Sequence, residues 1–481
     1  MAISSQGIGS GLDVNSIVTQ LVAIEKQPLK VLQTAASKLQ SQVSVYGNIK
    51  SQIATLQDAA TKLAKDSSWA VQSATSSNAA AATVSAGSTA KSAELTLNIT
   101  SLAQSQSVLS QSVNAGDPLG PGAGSGTLQI EIGNWATGIF SPAVSTATIN
   151  ETDTYTQVAA VINAANAGVR ATVFTVDGKE QLSIQSTNTG SANGFRITPI
   201  GTGLDSLSYI AENVAATPTG MQKGQRGLNA VVDINGIPLS PATNTLTDIV
   251  PGVTVNLLKA EAARISVVQD KPGIQANIQA FADAYTTLSK TLSDATRYVP
   301  GGQSGVLQGD TTTVGLQRLM REMFKSTYTG STPGFEYLSN VGLELQTDGS
   351  LKVNSTSLTT AMGNMTSLQT LFTYGTAGPV YNKQTDGFGV RFRELAKELL
   401  NAGGGSTSVS KDNGYVTNKA AALQASITRN ADEQDRVSTR AAAVEKRLRA
   451  QYSALDAKMA TMSSLSSYVT AQLAQWNKST G

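Results

Sequence analysis

From Leu32 onward the apolar or small positions fall at Leu32, Ala35, Leu39, Tyr46, Ile49, Ile53, Leu56, Ala60 and Leu63. The steps alternate between three and four residues, with Gln42 filling the one gap. That is a heptad seam, which needs a second helix to cover it. Ile17, Leu21 and Ile24 form a shorter seam upstream. Pro28 lies between the two. It lacks a backbone donor and disfavours helix at Gln27, so a break or kink is predicted there. The far end of the chain has the same character. Val437, Val444, Leu448, Leu455, Met459, Met462, Leu465, Val469 and Leu473 step by threes, fours and sevens, and no proline interrupts 415–481. Arg440, Lys446, Arg447 and Arg449 run beside this seam and read as a solvated helix face.

Between the helical ends the period changes to two. "ELTLNIT" (94–100) alternates Leu95, Leu97 and Ile99, as a half-buried strand does. "TLQIEIG", "RATVFTVDGKEQLSIQS", "FRITP", "AVVDINGIPL", "GVTVNLL" and "RISVV" repeat the signal through residue 268. Asp177-Gly178 between two alternating runs is a hairpin signal. "GDPLGPGAGSG" (116–126) is too rich in Gly and Pro to continue a strand. Helical pattern returns at 274–292, followed by a hairpin candidate at 342–353 with its turn at Asp348-Gly349 and a loop-like stretch at 401–414. The fold class predicted is α+β and multidomain. An antiparallel helical coiled-coil stalk formed by both chain ends carries two inserted β-rich head domains. Nothing alternates as βαβ units do, which argues against a parallel sheet.

Composition narrows the chemistry. The 481 residues include no cysteine and no histidine. That excludes thiol nucleophiles, disulfides and Ser-His-Asp triads, and leaves almost no route to zinc or iron sites. The formal charge is +2 with 14% charged residues, which gives no electrostatic case for nucleic acid. Carboxylate chemistry survives the composition, but Asp233, Asp248 and Asp270 read as turn and strand-end residues, without the spacing of an acid/base pair. No catalytic, cofactor-binding or metal site is predicted. "GIGSGLDVNSIVTQL" (7–21) places Leu12 where a dinucleotide fingerprint needs its third glycine, and no Gly-Lys-Ser/Thr follows. It reads as a flexible arm entering a helix capped near Asp13 or Asn15. "MAISSQGIGS" has no basic start or apolar core, and no segment approaches 18 apolar residues, so neither a signal peptide nor membrane insertion is expected. These features taken alone predict a cytoplasmic protein, unless export uses an uncleaved, unfolded leader.

Several stretches, in order, resemble one family. "GIGSGLDVNSIVTQLVAIEKQPL", "LNITSLAQSQ" (97–106), "VVDINGIPLSPATNTLTDIVPGVTVNLL" with "VVQD" and "FADAYTTL", "GVLQGD" (305–310), "VGLELQTDGSLKVN" and "RLRAQYSALDAKMATMSSLSSYVTAQL" are similar to the flagellar filament cap proteins (FliD, hook-associated protein two). Two positions depart from the pattern. Thr286 stands where the family usually has Asn, and Asn354 where Asp is usual. No motif matches within 107–227.

The resemblance implies a ring-shaped cap at the distal tip of the bacterial flagellum, whose legs grip the filament end while exported flagellin folds beneath it. It implies export through the flagellar type III channel, a dedicated chaperone, contact with the hook–filament junction protein before the filament grows, and self-assembly with five subunits favoured. The expected division is a terminal helical domain (1–35 with 441–481), a helical leg (36–71 with 272–440), an inner β domain (72–106 with 228–271) and an outer one (107–227). The candidate assembly residues are Ile17, Leu21, Ile24, Leu455, Met459, Met462, Leu465, Val469 and Leu473. Another flagellar axial protein, a hook–filament junction protein or flagellin, and a surface adhesin remain alternatives.

Overall fold

The computed structural model describes residues 13–119, 124–211, 220–330, 332–375, 385–400 and 414–479. The glycine-rich arm at 7–12 and nearly all of the 401–414 loop lie outside them. The helices are α1 (Val14–Glu25), α2 (Gln27–Ala64), α3 (Tyr155–Ala164), α4 (Lys271–Thr296) and α5 (Thr311–Lys325). They continue with α6 (Ser355–Ala361), α7 (Met365–Thr373), α8 (Phe388–Leu400) and α9 (Tyr415–Ser479). The chain divides into two compact units, 1–69 with 271–481 and 70–270.

The first unit is helical. The expected interruption near Pro28 is a single residue, Lys26, which ends α1. Gln27 is already helical, because Pro28 sits in the first turn of α2, where a backbone donor is not needed. Along α2 the heptad seam is buried from Tyr46 through Ile49, Ile53, Leu56, Ala60 and Leu63. Several helices cover it rather than one. Phe281, Tyr285 and Leu288 of α4, Phe392 and Leu395 of α8, and Val416 and Leu423 of α9 belong to the same core. Trp69 closes it, stacking on Phe372 at 5.6 Å and donating to the Leu63 carbonyl.

Asp310 caps α5 and joins three helices. Its Oδ1 accepts from the Tyr46 hydroxyl (2.5 Å) and from Thr313 N (2.9 Å), and its Oδ2 pairs with Lys419 Nζ (2.7 Å). Burial alone would raise its pKa, but the bonds from Lys419, Tyr46 and Thr313 outweigh it and hold the carboxyl at about 2. The hairpin Leu343–Leu345 with Leu351–Val353 turns at Asp348-Gly349, where Gly349 has φ 86°.

The second unit is antiparallel throughout its named strands. A five-stranded sheet runs in the order Gln72–Ser76, Ala262–Gln269, Ala93–Ser101, Val231–Ile234, Ile237–Leu239. It shares a core with a three-stranded sheet of Thr245–Thr247, Val253–Leu257 and Ala82–Ala86. Leu95, Leu97, Ile99, Val253, Val255 and Ile265 fill that core. The stretch 107–225 builds a second core between two more sheets and α3, from Val108, Leu128, Ile130, Val158, Leu182, Phe195 and Ile197 among others. Strand Val169–Val176 turns through Asp177-Gly178 into Lys179–Ser186, as the sequence signal predicts.

Candidate assembly surfaces

Helix α1 is capped by Asp13, whose Oδ1 accepts from Ser16 N at 3.0 Å. Its buried face is Val14, Val18 and Val22, four residues apart, packed on Ala441, Leu448 and Tyr452 of α9. The candidate assembly residues Ile17, Leu21 and Ile24 are not the row that makes this contact. Those three lie on the neighbouring stripe, where Ile17 is half-buried, Leu21 is 40% exposed and Ile24 is 60% exposed. The reason is the partner. Ala441 is small enough for a close approach, and the β-branched valines are the row that faces it.

Polar contacts set the direction. Glu25 pairs with Arg440, and Asn15 Oδ1 accepts from Arg449 Nη1 at 3.0 Å, so α1 runs antiparallel to α9. Arg449 also pairs with Glu445 one turn earlier. Arg440 and Arg449 thus reach α1 while staying 64% and 40% exposed, surface pairs made from the solvated face that the sequence predicts.

Beyond Tyr452 the surroundings change. Every residue from Ala457 to Asn477 is exposed. Leu455, Met459, Met462, Leu465, Val469 and Leu473 form a stripe without cover among the described residues. Tyr468 and Trp476, the latter 69% exposed, extend it. Pattern reading missed these two, although Trp476 continues the three-four step from Val469 and Leu473.

The carboxylates weighed as catalytic candidates serve local structure where their bonds are defined. Asp233 accepts from Gly236 N at 2.8 Å and Asp248 from Gly252 N at 3.2 Å, each closing a turn. Among the described residues no group of His, Cys, Asp and Glu side chains is arranged to hold a metal, and no helix is long and apolar enough to cross a membrane.

Residues 10–106 match the sequence profile of the flagellar hook-associated protein 2 N-terminus, and residues 227–464 match that of its C-terminus. The chain belongs to this family. Flagellar hook-associated protein 2 of Escherichia coli strain K12 is 26% identical over 487 aligned residues, covering 98% of both chains. The B-type flagellar hook-associated protein 2 of Pseudomonas aeruginosa is 27% identical, over 89% of this chain and 93% of its own. The fold is shared with a crystal structure of the flagellar cap protein FliD D1-D2-D3 domains from Escherichia coli. The TM-score is 0.57 at 23% identity, covering 79% of this chain and 99% of that one.

Within the family stretches, side-chain amides do specific work. Gln106 is buried where "LNITSLAQSQ" ends. Its carboxamide donates to the Phe195 carbonyl (2.7 Å) and accepts from Phe195 N (3.0 Å) and Trp135 Nε1 (2.7 Å), replacing a missing strand neighbour. Asn244 treats Ala103 the same way. Thr286 uses one hydroxyl for both backbone groups of Leu351, at 2.8 and 3.3 Å. Asn354 caps α6 through Ser357 N and donates Nδ2 to Glu344.

Proposed function

We propose that this protein caps the distal tip of the bacterial flagellar filament and promotes folding and insertion of exported flagellin, the role of the family to which it belongs. The observation that carries the assembly part is the exposed apolar half of α9. A helix held by propensity alone is marginal in water, so an uncovered stripe of this length is a contact surface awaiting partners. The export chaperone covers it in the cytoplasm. After passage through the flagellar type III channel, filament-end subunits and the open stripe Ile17, Leu21, Ile24 cover it in turn. Met459 and Met462 suit a surface that repacks against successive partners. The hook–filament junction protein is the contact before the filament grows. Copies close into a ring, five-fold favoured, with a terminal helical domain, a leg and two β domains in each, divided as the sequence suggests.

The experiment is the double variant Leu465→Asp, Leu473→Asp. Burying one leucine is worth about 2 kcal/mol, so the pair should weaken partner binding by several tenfold steps. The variant should keep the circular dichroism of its β domains, lose chaperone binding and fail to support filament growth. Wild-type chaperone affinity together with wild-type swimming would remove the stripe from the mechanism.

A further inference from the structure

One strand of the β unit ends its sheet with an open edge. Val169–Val176 pairs on one side with Lys179–Ser186, from Val169 opposite Ser186 to Val176 opposite Lys179. The connecting Asp177 and Gly178 have φ 51° and 72°, the signature of a type I′ hairpin. In that geometry Val176 and Lys179 exchange hydrogen bonds, so Thr175, Val173 and Ala171 direct their backbone groups away from the hairpin. Ala171 is covered. Asn163, near the end of α3, accepts from its N–H at 2.8 Å and donates to its C=O at 2.9 Å. Val173 and Thr175 have no such partner among the described residues. Beside them Phe174 is 54% exposed and Val176 66%. An open edge with exposed aromatic and β-branched side chains is a template for strand addition.

We propose that this edge pairs with the same edge of a second copy of the chain, antiparallel, about a two-fold axis at Phe174. In that register Val173 lies opposite Thr175 of the second copy, and Thr175 opposite its Val173, so all four open backbone positions are paired. Phe174 meets Phe174 in a non-hydrogen-bonded pair, the closer kind, where aromatic pairs contribute most. Thr172 faces Val176. The register also leaves Asn163 in place, because Ala171 falls opposite the turn residue Asp177, where no ladder continues. One self-complementary surface satisfies the contact, which is what a two-fold pairing requires. So small a contact is weak, and being two-fold it joins copies from two separate rings rather than neighbours within one.

Because the chain has no cysteine, single substitutions report the register directly. In the full-length protein, Phe174→Cys should give a disulfide-linked dimer under mild oxidation, since directly opposite non-hydrogen-bonded residues fit a disulfide. Thr172→Cys and Val176→Cys should each cross-link poorly alone but join each other when mixed. Proximity should make Phe174→Cys and the mixture roughly tenfold or more faster than either single control. Adding Thr175→Pro removes only an outward donor and should return Phe174→Cys to the control rate. Equal rates at all three positions, or self-linking of Thr172→Cys as fast as that of Phe174→Cys, would overturn the proposal. The edge would then belong to another partner or another register. The mixing arm decides the matter by itself should the proline variant fail to fold.

Discussion

Asp310 adds two long-range bonds to a local helix cap on one carboxylate. Tyr46 is 264 residues away in sequence, and Lys419 comes from yet another helix. No local pattern marks such a residue. Only the family stretch "GVLQGD" drew attention to it. Its folded pKa, about 2, lies below the ~3.9 of an exposed Asp, so the group adds stability above about pH 4 and loses it as the pH falls from 4 toward 2. Asp310→Ala removes a helix cap, the ion pair with Lys419 and the shorter of the two bonds made by the Tyr46 hydroxyl, leaving it Thr313 Oγ1 at 3.1 Å. A loss of about 2 kcal/mol is expected at neutral pH. Urea unfolding followed at pH 7 and stepwise from pH 5 to 2 checks both statements. The variant should be weaker at pH 7 and show a shallower acid slope than the parent. Identical slopes would assign the acid sensitivity to other carboxylates.

Helix α1 shows what an amphipathic pattern leaves undecided. It carries two adjacent apolar stripes, Ile17/Leu21/Ile24 and Val14/Val18/Val22, and both satisfy helical spacing. The bulkier one is the natural choice from sequence, yet the valine row is buried because Ala441 admits close approach there. The contact is small, and a 12-residue helix has little stability of its own. Ala441→Leu should therefore overpack the site by about 1–3 kcal/mol and release α1. Hydrogen exchange checks this. Amides of Val14–Glu25 should lose protection while those around Ile49 and Ile53 keep it. Retained protection in α1 would mean that Glu25–Arg440 and Asn15–Arg449 hold the pair without close packing.

At the scale of the whole molecule, the β unit is inserted at Trp69 and closed at Lys271. Its first and last strands pair, Gln72 opposite Gln269, with Asp270 N donating to the Val71 carbonyl at 2.9 Å. The insertion is thus sealed by its own antiparallel root, and the buried residues of its two cores fall within 81–267. In the function proposed above, assembly falls to surfaces such as the uncovered half of α9. Light scattering of the full-length chain should report a finite oligomer whose mass stops rising with concentration, five copies favoured, as closed symmetry requires. Open-ended growth would favour a filament-forming axial protein, and monomer at every micromolar concentration would defeat the ring.

The sequence by itself determined what depends on neighbours a few residues apart. Period-two strands, three-four helices, the turns at Asp177-Gly178 and Asp348-Gly349 and the interruption beside Pro28 follow from local sterics and hydrogen bonding. Cysteine- and histidine-free composition excluded whole classes of chemistry in the same way. Tertiary structure decided which face each element covers. The valine row of α1, the several helices over α2, the reach of Arg440 and Arg449 to α1, and Gln106, Asn163 and Asn244 standing in for strand neighbours all depend on partners distant in sequence or in a neighbouring element. The physical reason is that burial is settled by the shape and polarity of whatever arrives opposite. A periodic pattern states that a face must be covered, but only the packed partner selects the atoms that cover it.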